Sequence, residues 1–362
     1  MEQPIFAAML SVKATELSDN EKRILEKSNP LGITLFNRNI ANKIQLKKLI
    51  KDIKETIGRD NVLIGIDQEG GRVRRLKEPE YPSYAGQQTL GRLYQEVSSQ
   101  TAREATRLQT KLIAQDLSEA GINLNYSPCI DLLHKDTSEV LRSRIFSNKP
   151  EIVADLGNIV VNTYKDNGII PCIKHLPGHG RAQVDPHLEL PKINCSLKEL
   201  EKDFYPFQKL KDCPFGMTAH IVVSEVDNEH PLTQSPKGIK ELIRKIIGFE
   251  GFLISDSIDM HALKGNIEEK ATLSLQAGCD SLCYCSGQEE ELEALTKLKI
   301  WLTEHAMARL KTAEKILAIK NSEQNRADDL KEYQTLVGKI EAYKETYDST
   351  EVLFKMKQKK HP

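Results

Sequence analysis

Five times along the chain a helix-patterned stretch ends at a glycine, a short apolar run follows, and a polar residue closes it. The instances are "LGITLF" from Leu31, "AGINLNYS" from Ala120, "NGIIPCIKH" from Asn167, "EGFLISDS" from Glu250 and "AGCDSLCYC" from Ala277. Glycine just past a helix accepts the left-handed conformation that stops it. A short, continuous apolar run after such a stop reads as a strand buried on both faces, as in a parallel sheet. "IFAAML" from Ile5, "VLIGID" from Val62 and "FGMTAH" from Phe215 bring the set to eight. Helical patterns such as "NKIQLKKLIKDIKETI", "EATRLQTKLIAQDLSEA" and "SPKGIKELIRKIIG" lie between them. Strands alternating with helices in this number predict an α/β protein of the (β/α)8 TIM-type barrel, with a doubly wound open sheet as the other solution.

The barrel is expected to occupy residues 1–320 as a single catalytic domain. A helical C-terminal extension, 321–362, follows. There Leu330, Tyr333, Val337, Ile340, Tyr343 and Tyr347 recur at three- and four-residue spacing, as on one face of a helix. The basic "KMKQKKHP" that closes the chain reads as a solvated end.

A barrel places its chemistry where strands run out, on the loops at their C-terminal ends. The polar residues closing the runs are Asp67, the pair Lys174 and His175, His220 and Asp256.

Composition narrows the partners. The 362 residues are 39% hydrophobic, enough for a large core, and the formal net charge of -1 offers no general attraction to nucleic acid or membrane. The seven cysteines are odd in number and lack framework spacing, which argues against a disulfide scaffold. Cys283 and Cys285 are expected on alternate faces of a strand, which speaks against a zinc site there. No basic segment leads into a long apolar run at the N-terminus, and no stretch approaches the roughly 18 apolar residues of a membrane span. The cytoplasm is the expected compartment.

Three of the nine histidines fall in "KHLPGHGRAQVDPHLEL", residues 174–190. His175 and His179 are four apart, as in helical zinc pairs, but Pro177, Gly178 and Gly180 forbid a helix there. A metal-dependent barrel hydrolase using His175, His179 and His187 therefore stands only as an alternative. Asp185 and His187 meet if Pro186 makes a turn, giving a dyad that trades a proton near neutral pH. Spacing alone equally allows a capping Asp beside an exposed His. Asp256 in "ISDSIDM" reads equally as a nucleophile or a structural cap. "IDQEGGRVRRL" has neither the dinucleotide nor the phosphate-loop spacing. Its arginines, with Arg144 of "RIFS", are planar forks suited to carboxylates and sugar hydroxyls.

In this order and at these strand ends, "IDQEGGRVRRL", "KHLPGHGRAQVDPH", "MTAHI" and "SDSIDM" resemble the glycoside hydrolase family 3 β-N-acetylhexosaminidases, in particular the bacterial β-N-acetylglucosaminidases of peptidoglycan recycling. The resemblance covers residues 5 to 320. It implies Asp256 as nucleophile, His187 as general acid/base and Asp185 as its orienter. It further implies that Asp67, Arg75, Arg144, Lys174 and His175 bind the sugar, with His179 and His220 as support. Gly178 and Gly180 are expected to hinge the dyad loop. Where the family usually reads "SDDLSM", this chain reads "SDSIDM". The implied reaction is retaining, exo-acting hydrolysis of terminal β-1,4-linked GlcNAc from GlcNAc-1,6-anhydro-MurNAc muropeptides, with no cofactor and no metal. The expected partner is that small carbohydrate, not nucleic acid or membrane, and a monomer suffices. Phosphate in place of water as acceptor, and a non-catalytic sugar-binding barrel, are the remaining alternatives.

Overall fold

The computed structural model describes residues 3–182, 190–319 and 325–343. Eight parallel strands close into a barrel: β1 (Phe6–Leu10), β2 (Pro30–Leu35), β3 (Leu63–Ile66), β4 (Leu124–Asn125), β5 (Ile170–Leu176), β6 (Phe215–Thr218), β7 (Phe252–Ser257) and β8 (Ser281–Cys283). Each strand pairs with its neighbour in sequence, and β8 closes onto β1 through Ala8 and Leu282. All eight apolar runs became strands, and the open sheet is excluded.

The run at "AGINLNYS" yields only two residues of strand because asparagine side chains replace the ladder. Asn123 Oδ1 accepts from Ile64 N at 2.7 Å, and Asn125 brackets Gln68, accepting from its N at 3.0 Å and donating to its O at 2.9 Å. The glycine stops hold at Gly121, Gly168 and Gly278, which have positive φ. They fail at Gly32 and Gly251. There the left-handed residue is Asn29, ending the helix Asp19–Ser28, and Gly248, ending the π-helical stretch Ile239–Ile247.

Side chains alternate across each strand, and this divides the core in two. Met9, Leu31, Leu63, Leu124, Ile170, Phe215, Phe252 and Cys283 fill the barrel interior, with Phe215 and Phe252 stacked at 4.6 Å. Ala306, Leu310 and Ala313 of the helix Glu304–Glu314 join this cluster. Ala8, Leu10, Ile33, Leu35, Ile64 and Ile66 face outward onto Leu49, Ile53, Leu108 and Leu112 of the surrounding helices. With the interior packed, a ligand has to be met at the mouth.

The expected C-terminal helix is present as Arg326–Val337, shorter than the sequence pattern. It packs on the long helix Ser99–Ala120 through buried Tyr333 and the Lys111–Asp329 ion pair at 2.6 Å. Ile340 and Tyr343 lie beyond its end; Tyr347, the basic terminus and the 320/321 boundary lie outside the described residues. No helix among the described residues is long and apolar enough to cross a membrane.

Candidate active site

The C-terminal ends of β3, β4 and β5 hold a continuous chain of buried charges. Lys174, near the end of β5, extends its ammonium between two carboxylates carried just beyond β3. It lies 2.7 Å from Asp67 Oδ1 and 2.6 Å from Glu69 Oε1. Arg75 approaches Asp67 Oδ2 at 3.3 Å. Arg144 forks onto Glu69, with Nε at 3.0 Å from Oε2 and Nη2 at 2.8 Å from Oε1. The same Nη2 faces His175 Nε2 at 3.4 Å, and His175 Nδ1 meets Asp131 Oδ2 at 2.7 Å. A donor facing Nε2 and a carboxylate facing Nδ1 together call for the Nδ1–H tautomer. Asp131 Oδ1 also accepts from His179 N at 2.6 Å.

Each group's titration follows from these contacts. Burial works against the Asp67 charge, but Lys174 and Arg75 outweigh it and hold the carboxyl well below the ordinary range. Burial likewise opposes ionised Glu69, yet Arg144 and Lys174 bring it down to about 2. Lys174 is raised, its burial more than offset by Asp67 and Glu69, and Arg144 is raised by Glu69 against the same cost. Asp131 is depressed because His175 overcomes its burial. Mutual pairing thus keeps Asp67, Glu69, Asp131, Lys174 and Arg144 charged where a lone buried charge would neutralise.

Glu69 and Asp131 were not singled out from sequence. Glu69 stands inside the quoted "IDQEGGRVRRL". Asp131 closes "SPCID", six residues beyond β4, because the chain from Ser127 runs on alongside β5, with Cys172 N bonded to Ser127 O and Ile130 N to Lys174 O.

Asp256 ends β7 at the same mouth, and the N–H of Ser257 donates to its Oδ1 at 2.7 Å. The turn is held from behind. His220, fully buried, has Nε2 at 2.9 Å from Ser257 O and Nδ1 at 2.8 Å from the Thr233 hydroxyl. Because a carbonyl only accepts, Nε2 carries a proton. His220 is therefore a support for the Asp256 turn. Asp259 accepts from the Ser257 hydroxyl and, at 3.0 Å, from Cys285 N, so it ties the end of β7 to that of β8.

His179 is buried, and neither ring nitrogen has a hydrogen-bond partner among the described residues. Burial first and His175 second push it down to about 4, with Asp131 and Asp256 offsetting them in part. Asp185 and His187 lie outside the described residues. The chain leading to them is firmly seated: Thr137 Oγ1 donates to Gly180 O at 2.6 Å, Ser138 N to Ala182 O at 3.2 Å, and Arg181 Nε to Asp203 Oδ2 at 2.8 Å. Gly180 has a packing role here. A Cβ there would fall 1.8 Å from Leu132 O, so the glycine permits close backbone approach.

One expectation about metals changes. Cys283 and Cys285 do not alternate faces: residues two apart share one, and their sulfurs lie 3.5 Å apart. His187 of the histidine trio lies outside the described residues, among which the cluster with ligand spacing is Cys129, Asp131 and His175. In it His175 Nδ1 and Asp131 are already bonded to each other, and an ion on Nε2 would displace the Arg144 guanidinium. The donor set suits a hydrogen-bonding network better than a cation.

Comparison with known proteins gives a consistent picture. A β-hexosaminidase of Thiobacillus denitrificans is 34% identical over 309 residues, 83% of this chain and 84% of that protein. One from Neisseria meningitidis serogroup B is 35% identical, covering 77% of each. The crystal structure of native NagZ from Neisseria gonorrhoeae superposes with a TM-score of 0.82 at 30% identity, covering 92% of this chain and 98% of that one. The same protein has been solved in complex with N-trifluoroacetyl-D-glucosamine. The family model described as the glycosyl hydrolase family 3 N-terminal domain matches residues 6–318, essentially the whole barrel, and the chain therefore belongs to that family and is a glycosidase.

Proposed function

We propose that this glycosidase is an exo-acting β-N-acetylglucosaminidase that releases terminal β-1,4-linked GlcNAc from GlcNAc-1,6-anhydro-MurNAc muropeptides during peptidoglycan recycling, as a monomer in the cytoplasm. The observation that carries it is the placement of Asp256, at the end of β7, at the same barrel mouth as the chain Asp67–Lys174–Glu69–Arg144–His175. The relatives named β-hexosaminidase, and the glucosamine derivative bound by the gonococcal protein, favour an N-acetylated amino sugar.

Asp256 attacks the anomeric carbon, and the Ser257 N–H bond to Oδ1 fixes its rotamer. His187, oriented by Asp185, protonates the leaving oxygen and then as a neutral base activates the water that hydrolyses the glycosyl ester. An imidazole thus does the work usually given to a second carboxyl group. Asp67, Arg75, Arg144, Lys174 and His175 hold the sugar hydroxyls. Arg75 Nε and the His179 ring nitrogens, buried and without a hydrogen-bond partner among the described residues, support a hydroxyl-rich ligand, since each unmet buried group costs about 1–3 kcal/mol.

The test is turnover of an aryl β-N-acetylglucosaminide by Asp256→Ala, with circular dichroism to verify the fold. Loss of turnover in a folded variant is expected. Undiminished turnover overturns the assignment, and mass spectrometry of products from purified muropeptides decides the natural substrate.

A further inference from the structure

At the barrel mouth Cys283 Sγ and Cys285 Sγ lie 3.5 Å apart, on the segment where β8 runs out beside the Asp256 turn. We propose that these two residues are a modification site: an oxidisable dithiol that peroxide closes into a disulfide, with the change transmitted to Asp256.

The placement favours reaction here. All seven cysteines are free, and Cys129, Cys172, Cys213, Cys279 and Cys283 are buried. Cys285 is partly exposed, so a small oxidant reaches it first. Cys195 is also partly exposed, but its sulfur faces Arg181 Nη1 at 3.7 Å and not a thiol. In the reaction the Cys285 sulfur attacks one peroxide oxygen, the O–O bond breaks, and water leaves with the thiol proton. The Cys283 sulfur then attacks the sulfenic sulfur, and a second water leaves. Two thiols and one hydrogen peroxide give one disulfide and two waters, with the peroxide reduced and the thiols oxidised. The sulfurs must close to about 2 Å, a short movement for side chains already on one face. The hydrogen bond to Cys283, and then burial, raise the Cys285 thiol, so the reaction is slow and needs excess peroxide.

The consequence follows from what the segment holds. Cys283 N–H donates to Ser255 Oγ at 3.0 Å, and Cys283 O accepts from Ile258 N at 2.9 Å. Cys285 N donates to Asp259 Oδ1 at 3.0 Å, and Asp259 receives the Ser257 hydroxyl. Residues 255, 257, 258 and 259 surround Asp256. Contraction between positions 283 and 285 therefore moves the strand end that aims the carboxylate.

The experiment exposes the full-length protein to hydrogen peroxide, removes the excess with catalase, alkylates the remaining thiols and maps the product by tandem mass spectrometry. The expected result is loss of two hydrogens at Cys283–Cys285, reversed by dithiothreitol. Turnover of the aryl glycoside should fall roughly ten- to a hundredfold, as for a nucleophile displaced by a fraction of an ångström, and recover with dithiothreitol. Cys285→Ser should keep its basal turnover and lose the response. A bond that forms at Cys279 or between molecules, oxidation that stops at Cys195, or a Cys283–Cys285 disulfide without loss of turnover would each overturn the proposal. The proposal concerning turnover rests on the glycosidase reading above. Absence of turnover in the reduced protein would count against that reading, while the disulfide map stands by itself.

Discussion

Lys174 and Glu69 form an ion pair of 2.6 Å with both side chains almost wholly removed from solvent. Neither would be tolerated alone, and Asp67 and Arg144 complete the neutralisation from either side. Lys174→Met should therefore cost stability as well as binding. It leaves Asp67 with only Arg75 and Glu69 with only Arg144, and breaking such a buried pair costs about 3–5 kcal/mol. Urea denaturation of the variant tests this. A change under 1 kcal/mol would mean that Lys174 is dispensable to the charged chain.

Asp131 positions two histidines at once, through His175 Nδ1 and the backbone N–H of His179. Asp131→Asn keeps the shape but offers no charge to the imidazole, and an amide nitrogen turned toward Nδ1–H would repel it. Losing such an orienting partner typically costs about 10–100-fold. The expected outcome is a drop of that size in kcat/KM on the aryl glycoside, with the melting temperature lowered as well. Equal kinetics in the two proteins would show that His175 orientation does not matter to turnover.

How much of this was legible beforehand depended on the range of the interaction. Strand identity is written in contiguous apolar runs, so the barrel and the strand-end positions of Asp67, Lys174, His175, His220 and Asp256 could be read directly. The Glu69 pairing could not be, because it joins residues 75 and 105 positions apart, and only the barrel's strand order sets β3, β4 and β5 side by side in turn. Asp131 was hidden because the strand proper stops at Asn125 while the chain continues along β5 without a regular ladder. Gly32 and Gly251 look in sequence like helix stops, but Gly32 lies within β2, with Leu63 O where its Cβ would be, and Gly251 leads into β7, with Cys213 O 2.5 Å from its Cβ position.

Acid should unfold the protein in two overlapping stages. Burial holds His179 at about 4 in the folded protein against an ordinary 6.5, so between those values the unfolded chain binds the extra proton and stability falls as pH drops. Glu69 is about 2 against 4.5, so its stabilisation is present above 4.5 and is lost as pH falls toward 2. Both act in the same direction, and Asp67 and Asp131, also depressed, extend the second stage. Melting temperatures from pH 7 to pH 3 should decline throughout. His179→Phe should flatten the upper stage and leave the lower one, and an unchanged profile would remove His179 as its source.

Gly180→Ala probes the seat of the segment that leads to Asp185 and His187. The added methyl meets Leu132 O at 1.8 Å, so the backbone must shift. Overpacking of this kind costs about 1–3 kcal/mol. The chain through Lys174 and Arg144, proposed above to bind the sugar, is anchored elsewhere, so kcat should fall more than KM rises. Steady-state kinetics on the aryl glycoside separate the two, and a pure rise in KM would argue that this segment serves binding and not proton transfer.

Tyr333 decides whether the helix Arg326–Val337 matters to the barrel or merely rests on it. Its ring is buried at 5.9 Å from that of Tyr84, and its hydroxyl donates to Gln109 Oε1 at 2.8 Å while accepting from Ala85 N at 2.8 Å. Tyr84 in turn donates to Asp116 at 2.7 Å, and Asp116 also holds Arg326. The stretch from Tyr84 to Gly86 follows the loop that bears Glu69 and Arg75, with Gly71 N bonded to Tyr84 O at 2.8 Å. Removing the ring should therefore reach Arg75, proposed above to bind the sugar, as well as the core. Tyr333→Ala is expected to cost about 3–5 kcal/mol, in line with other large aromatic truncations, and to raise KM. Tyr333→Phe loses only the hydroxyl bonds, about 1–3 kcal/mol because Ala85 N–H is left unmet. Denaturation and KM measured on both variants check the ordering; a Tyr333→Ala protein that is as stable as its parent would mean that the helix is an accessory the barrel does not need.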